Sequence, residues 1–184
     1  MRTLVLAAAL FGFGPGTPVA APVAPPTVVI LVRHGEKEAQ PPQDPPLSEK
    51  GKARAMALVD VARQAGITAI VTTQFERTRK TAEPTALELK ITPEIVQAGG
   101  AAHPKAVADQ VMKHAGGTIL VVGHSNTIPA IVGALGAPQP KDLCDSEYDQ
   151  LFTVVLGDGG PPRLIRSRFG PTNVEDATCN SMSR

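Results

Sequence analysis

The sequence predicts an α/β fold, a three-layer α/β/α sandwich with a mostly parallel central sheet. Continuous apolar, largely β-branched runs such as 27–33 and 118–123 are typical of strands buried on both faces. Segments of helical composition separate these runs, and regular alternation of strands and helices favours a parallel sheet covered on both sides. We expect one domain, residues 27–175, followed by a tail, 176–184.

The first half of this domain contains three predicted strands, 27–33, 67–73 and 91–96, and two predicted helices, 47–66 and 76–90. Ser48 is a suitable N-cap for the first helix, and Gly66 ends it. Pro84 lies inside the second helix, which predicts a kink or a late start. Pro93 favours an edge position for the third strand.

In the second half, helix 103–116 carries Pro104 in its first turn, where proline is tolerated. Strand 118–123 and a short helix, 127–136, follow. Two further strands, 150–157 and 163–170, surround a Gly/Pro turn and are expected to pair with each other.

Residues 1–26 resemble an export signal followed by a Pro-rich leader. Arg2 precedes the apolar segment 4–13, and small residues, glycines and prolines come next. The alternative is a disordered apolar tail. We expect an exported protein, periplasmic or secreted, without stable membrane insertion after the signal is removed.

The composition makes several other classes of function improbable. A net charge of +1 and an aromatic content of 3%, without tryptophan, argue against nucleic-acid binding.

In an oxidising compartment, the two cysteines, Cys144 and Cys179, favour a disulfide over two free thiols. Closing this loop of about 35 residues would contribute about 3–4 kcal/mol. Metal-ligand spacings such as Cys-x-x-Cys do not occur, so no metal or other cofactor is expected.

Three polar clusters follow predicted strands and should meet at one edge of the sheet. They are Arg33-His34-Gly35-Glu36, a segment containing Arg77, and Gly123-His124-Ser125-Asn126. Two histidines and at least two arginines in one pocket require an anion, and a phosphoryl group suits the forked guanidinium donors. Gly35 and Gly123 would let the backbone approach this group closely.

In the third cluster, the roles of two residues stay open. Ser125 and Asn126 either cap the following helix or contact the ligand. The nucleophile can be one of the two histidines. A neutral imidazole can attack phosphorus with one ring nitrogen if the other ring nitrogen keeps its proton.

Four segments in order resemble the histidine phosphatase superfamily, also called phosphoglycerate mutase-like. They are LVRHGEK (31–37), PLSEKGKARA (46–55), TTQFERTRKTAEP (72–84) and VVGHSNTIPAIVGALG (121–136). The resemblance implies that His34 is phosphorylated and that Arg33 and Arg77 clamp the phosphoryl oxygens. It also implies that His124 contacts the phosphoryl group and stabilises the transition state, before water hydrolyses the phosphohistidine.

The acid that many members of this family use to protonate the leaving oxygen is not evident. Glu36, Glu94, His103 and Asp109 are the candidates. The expected function is a phosphomonoester hydrolase acting on a phosphorylated small molecule or envelope component. The alternatives are a phosphate-binding module that has lost catalysis and, less expected because the chain is short, a phosphoglycerate mutase.

Overall fold

The computed structural model describes residues 25–157 and 159–173, which form ten helices and strands. In chain order these are β1 (Thr27–Arg33), α1 (Glu49–Ala65), β2 (Ala69–Thr72), α2 (Glu76–Leu89), β3 (Glu94–Ile95), α3 (His103–Met112), β4 (Thr118–Gly123), α4 (Thr127–Ala134), β5 (Gln150–Leu156) and β6 (Arg163–Arg168). Each lies within or close to a segment predicted from the sequence.

The strands form one sheet in the order β3-β2-β4-β1-β5-β6. The pairings β3–β2, β2–β4 and β4–β1 are parallel, whereas β5 is antiparallel to both β1 and β6. The predicted α/β class and the mostly parallel sheet are confirmed. Strand β3, which follows Pro93, is at the edge as expected.

Helix boundaries follow from identifiable residues. The Ser48 side chain accepts a hydrogen bond from the Gly51 N–H, and Gly66 ends α1 in the left-handed conformation with φ of 65°. A residue with a Cβ is disfavoured there, so glycine is the suitable terminator. Helix α2 begins at Glu76 and contains Pro84, so the late start that proline suggested does not occur.

Both faces of the central strands are buried, which makes the fold a three-layer sandwich. On β1, Val29 and Leu31 pack into one apolar cluster with residues of α3 and α4, such as Val111. Ile30 and Val32 point the other way, into a second cluster with α1 and α2. Burial on both sides explains why the strand sequence is continuously apolar instead of alternating.

Some predictions fall wholly or partly outside the described residues. The leader, 1–26, is described only at Pro25 and Pro26, and the tail, 176–184, is not described, so export and the domain limits stay predictions. Within 25–157 and 159–173, no helix combines the length and apolarity needed to span a bilayer.

Candidate active site

The two motif histidines meet because adjacent parallel strands end side by side. Arg33 on β1 is in register with Gly123 on β4. The next residue, His34, donates its backbone N–H to the Gly123 carbonyl at 2.9 Å. The His34 and His124 rings lie with their centroids 5.4 Å apart. The register of two strands thus brings together side chains that are distant in sequence.

The His34 ring is buried and is held in one tautomer. Its Nδ1 lies 2.8 Å from the Gly35 carbonyl oxygen, and since a carbonyl only accepts, Nδ1 carries the proton. Burial, reinforced by the charge of Arg33, lowers the pKa of His34 to about 3, against the opposing effect of the Gly35 hydrogen bond. At neutral pH the ring is therefore uncharged, with a lone pair on Nε2.

His124 is also neutral at pH 7. Burial, reinforced by the charge of Arg77, lowers the pKa of His124 to about 4. Its Nε2 shares a hydrogen bond of 3.2 Å with the Thr73 hydroxyl, and Thr73 in turn pairs with Thr78 at 2.8 Å. Thr73 lies in the β2–α2 connection, and Thr78 lies in the first turn of α2. Together they fix the plane of the His124 ring.

Arg77 is positioned by two residues that precede it in the chain. Its guanidinium lies over the Phe75 ring at 4.2 Å, and its Nη1 is 3.5 Å from an Asp44 carboxylate oxygen. Asp44 also accepts the Glu76 backbone N–H at the start of α2, at 3.0 Å to each oxygen. One carboxylate therefore both caps the helix and orients its arginine.

Arg33 is only 4% exposed and binds the loop that follows α4. Its Nη1 donates to the carbonyl oxygens of Cys144, Asp145 and Glu147 at 2.8, 3.1 and 3.1 Å. Its guanidinium also lies 3.9 Å from the centre of the Tyr148 ring. One edge of the group is thus occupied by protein carbonyls, so Arg33 anchors this loop against the site in addition to lining the pocket.

The glycines beside the histidines pack closely against neighbouring helices. A Cβ on Gly35 would lie 2.8 Å from the Gly51 carbonyl oxygen, at the start of α1. A Cβ on Gly123 would lie 2.9 Å from the Ile128 side chain. The Gly35 N–H also donates to the Thr81 hydroxyl at 2.8 Å. Contacts with α1 and α4 are thus a packing reason for glycine at both positions, and the approach of a phosphoryl group stays a prediction.

These side chains surround a pocket of about 570 Å³. Arg33, His34, Arg77 and His124 all line it, together with Ser125 and Asn126. Asn126 occupies the N-cap position of α4 but makes no capping hydrogen bond with its side chain. Between the two roles left open for Asn126, this geometry favours contact with a ligand.

Of the four candidate acids, only His103 lines the pocket. Glu36 faces α1, where Arg54 donates to its two carboxylate oxygens at 2.7 and 2.9 Å. Burial raises the pKa of Glu36, but the hydrogen bonds and charge of Arg54, a backbone hydrogen bond and the charge of Lys50 together outweigh burial and leave the pKa below its ordinary value. A carboxylate held ionised in this way is a poor proton donor, so the geometry does not support Glu36 as the acid.

Glu94 and Asp109 are also engaged away from the pocket. Glu94 accepts from Gln110 and lies 2.8 Å from His114 Nε2. Asp109 is paired with Lys105 at 2.6 Å on the exposed side of α3. Neither carboxylate lines the pocket, so the geometry does not support either one as the acid.

Several residues of the site were not identified from the sequence: Asp44, Thr73, Phe75, Thr81 and Tyr148. Of these, only Asp44 had a signal in the sequence: it is an acidic residue in a Pro-rich loop before a helix whose first turn is rich in basic residues.

The predicted disulfide is not tested. Cys144 is buried, but Cys179 lies outside the described residues, so their pairing stays a prediction. Within the described ranges, no three His, Cys, Asp or Glu side chains come together as a metal site.

Sequence comparisons identify related proteins over part of the chain. A family model described as the histidine phosphatase superfamily (branch 1) matches residues 29–98. A probable phosphoglycerate mutase GpmB from Cronobacter sakazakii is 44% identical over 61 residues, and one from Citrobacter koseri is 46% identical over 61 residues. Each match covers 30% of this chain and only 28% of the relative's length.

Solved structures share the fold over most of the chain. The protein histidine phosphatase SixA complexed with tungstate has a TM-score of 0.60 at 17% identity, covering 77% of this chain and 96% of its own. A mycobacterial glucosyl-3-phosphoglycerate phosphatase has a TM-score of 0.59 at 15% identity, covering 80% and 100%. The phosphoserine phosphatase of Entamoeba histolytica, solved with 3-phosphoglyceric acid, has a TM-score of 0.57 at 16% identity, covering 79% and 98%.

Proposed function

Because this chain belongs to the histidine phosphatase superfamily, we propose that it hydrolyses phosphomonoesters through a phosphohistidine formed on His34. The observation that carries this proposal is the state of the His34 ring. Its Nδ1 is committed to the Gly35 carbonyl, so the neutral ring has its nucleophilic lone pair on Nε2. The ring lies in the wall of a pocket that arginines also line.

The remaining side chains supply the electrostatics of phosphoryl transfer. The low pKa of His34 keeps the nucleophile unprotonated across the neutral range. Arg77, already oriented by Asp44 and Phe75, binds phosphoryl oxygens with the donors that face the pocket. His124 stabilises the charge that develops on those oxygens in the transition state. Water then attacks phosphorus, the P–N bond breaks, and inorganic phosphate leaves.

The substrate class is a phosphorylated small molecule or an envelope component. Three structural neighbours are named as a phosphoserine phosphatase, a glucosyl-3-phosphoglycerate phosphatase and a protein histidine phosphatase. An exported location and an envelope substrate stay predictions from the sequence.

Turnover of p-nitrophenyl phosphate by His34→Ala tests the proposal. Loss of the nucleophile should reduce kcat by at least about 10³-fold, because the covalent route is closed. His114→Ala is the matched control, since His114 pairs with Glu94 and does not line the pocket. Wild-type turnover by His34→Ala would eliminate the covalent mechanism.

The same preparations distinguish the alternative functions. Tight binding of inorganic phosphate without turnover of any ester would support a binding module. Interconversion of 3- and 2-phosphoglycerate faster than their hydrolysis would support a mutase, the activity named in the curated relatives.

A further inference from the structure

His103 is a buried pocket residue with one ring nitrogen unaccounted for. It is the first residue of α3 and is 3% exposed. Its Nδ1 lies 2.9 Å from the Gln97 carbonyl oxygen. Because that oxygen only accepts, Nδ1 keeps its proton in both ring states, and any proton exchange takes place at Nε2. This Nε2 is buried and has no hydrogen-bond partner among the described residues.

The segment that carries His103 is fixed against the rest of the site. Gln74 holds Ala98 by two hydrogen bonds, donating to its carbonyl at 3.2 Å and accepting from its N–H at 2.7 Å. Gly99 and Gly100 then turn the chain with positive φ values of 142° and 69°. The imidazole is therefore held on the pocket wall by backbone contacts at both ends of a short loop. Buried polar atoms are rarely left unsatisfied, and His103 lines the pocket, so its Nε2 is available to hydrogen-bond a bound group.

The other ionisable residues that line the pocket are less suited to proton transfer. The Asp145 side chain is 88% exposed and lies 3.8 Å from Arg33, so it is solvated and paired. Lys37 is exposed at the rim. Among the described lining residues other than His34 and His124, His103 is the only buried group able to exchange a proton.

We propose that His103 Nε2 protonates the leaving oxygen of the substrate. This proposal rests on the phosphohistidine mechanism at His34. In the first step the bond from His34 Nε2 to phosphorus forms, the bond from phosphorus to the ester oxygen breaks, and the imidazolium of His103 gives that oxygen its proton. In the second step neutral His103 takes a proton from the attacking water, and the P–N bond breaks. Each turnover consumes one water and returns both rings to their starting state.

This role extends the substrate range to alkyl phosphates. An alkoxide is a much poorer leaving group than a nitrophenolate, so its departure depends on protonation. Without a donor, the site would be limited to activated esters. With His103 as donor, alkyl phosphomonoesters become substrates.

The test is His103→Asn, assayed on an alkyl phosphate and on p-nitrophenyl phosphate. The asparagine amide nitrogen can replace Nδ1 on the Gln97 carbonyl, while the Nε2 position is lost. For the alkyl ester, kcat/KM should fall by about 10²–10⁴-fold. For the nitrophenyl ester it should fall by less than about 10-fold, because that leaving group needs little protonation. The value of kcat/KM depends only on the steps up to formation of the phosphoenzyme. A slower dephosphorylation of His34 therefore does not change kcat/KM.

Each other outcome overturns the proposal. An equal fall for both esters would mean a structural role, and no fall for the alkyl ester would mean another donor. His114→Asn, the same replacement away from the pocket, should leave the ratio of the two kcat/KM values unchanged. Phosphohistidine formed by His103→Asn from the nitrophenyl ester would show that the proposed function holds even where the donor assignment fails. Absence of turnover in the wild-type enzyme would remove both.

Discussion

Replacing Arg54 with methionine should strongly destabilise the fold and disturb the His34 loop. Arg54 has an exposure of 0% although it is an arginine. It donates to both carboxylate oxygens of Glu36, two residues after His34, and to the carbonyls of Phe169 and Pro171 at 3.0 and 2.8 Å. One side chain therefore connects α1, the loop that follows His34 and the segment after β6.

The magnitude follows from the charge that the substitution leaves behind. The Glu36 side chain is 13% exposed, so without Arg54 it becomes a largely buried carboxylate with only the longer Lys50 contact at 3.5 Å. Removing one partner of a buried ion pair costs about 3–5 kcal/mol. For a chain of this size that corresponds to a decrease in Tm of roughly 6–20 °C.

The assay is chemical unfolding, with Arg63→Met as the matched control. Arg63 is also an α1 arginine bonded to a glutamate, but it is 54% exposed, so its loss should lower the stability far less than the loss of Arg54. Burial raises the pKa of Glu36, but its contacts, chiefly those with Arg54, together hold that pKa below the unfolded value, so the contribution of the pair is present above the unfolded pKa. It is lost as the pH falls through the folded pKa. Equal destabilisation by the two variants, or an Arg54 effect unchanged at low pH, would refute this account of the pair.

Two further predictions concern the neighbourhood of the histidines. Thr81→Val should destabilise by about 1–3 kcal/mol in urea unfolding and lower kcat, because it leaves the Gly35 N–H unpaired. Thr85→Val, one turn later, should be neutral or stabilising, since that buried hydroxyl has no partner among the described residues; the reverse order would contradict the contacts. Since burial holds the pKa values of His34 and His124 at about 3 and about 4, their ring NMR signals should not titrate between pH 8 and 5. Stability should decrease as pH falls from the ordinary histidine value towards these pKa values, and titration near 6.5 would contradict the burial.

The fold and the meeting of the two histidines could be predicted because they depend on local patterns. Continuous apolar runs specify strands buried on both faces, and the polar motifs follow β1 and β4 directly. Since parallel neighbours end at the same edge of a sheet, His34 and His124 had to be close if β1 and β4 were adjacent. The polar motifs therefore indicated the site before any contact was known.

The supporting contacts could not be predicted because they are made between loops distant in sequence. Asp44 reaches the start of α2 from a Pro-rich loop, and Tyr148 covers Arg33 from the connection after α4. Neither loop has a periodicity that would fix its path. The role of Glu36 depended on a fully buried partner, Arg54, whose sequence context is that of an ordinary surface helix.

Rapid-quench labelling with a ³²P-labelled aryl phosphate tests the central claim most directly. The account predicts an acid-labile, alkali-stable phosphoryl group that appears within one turnover, maps to the peptide containing His34 and decays as phosphate is released. His34→Ala should take up no label, whereas His114→Ala should be labelled like the wild type. Turnover without any label on His34, or label that maps to His124, would contradict the mechanism.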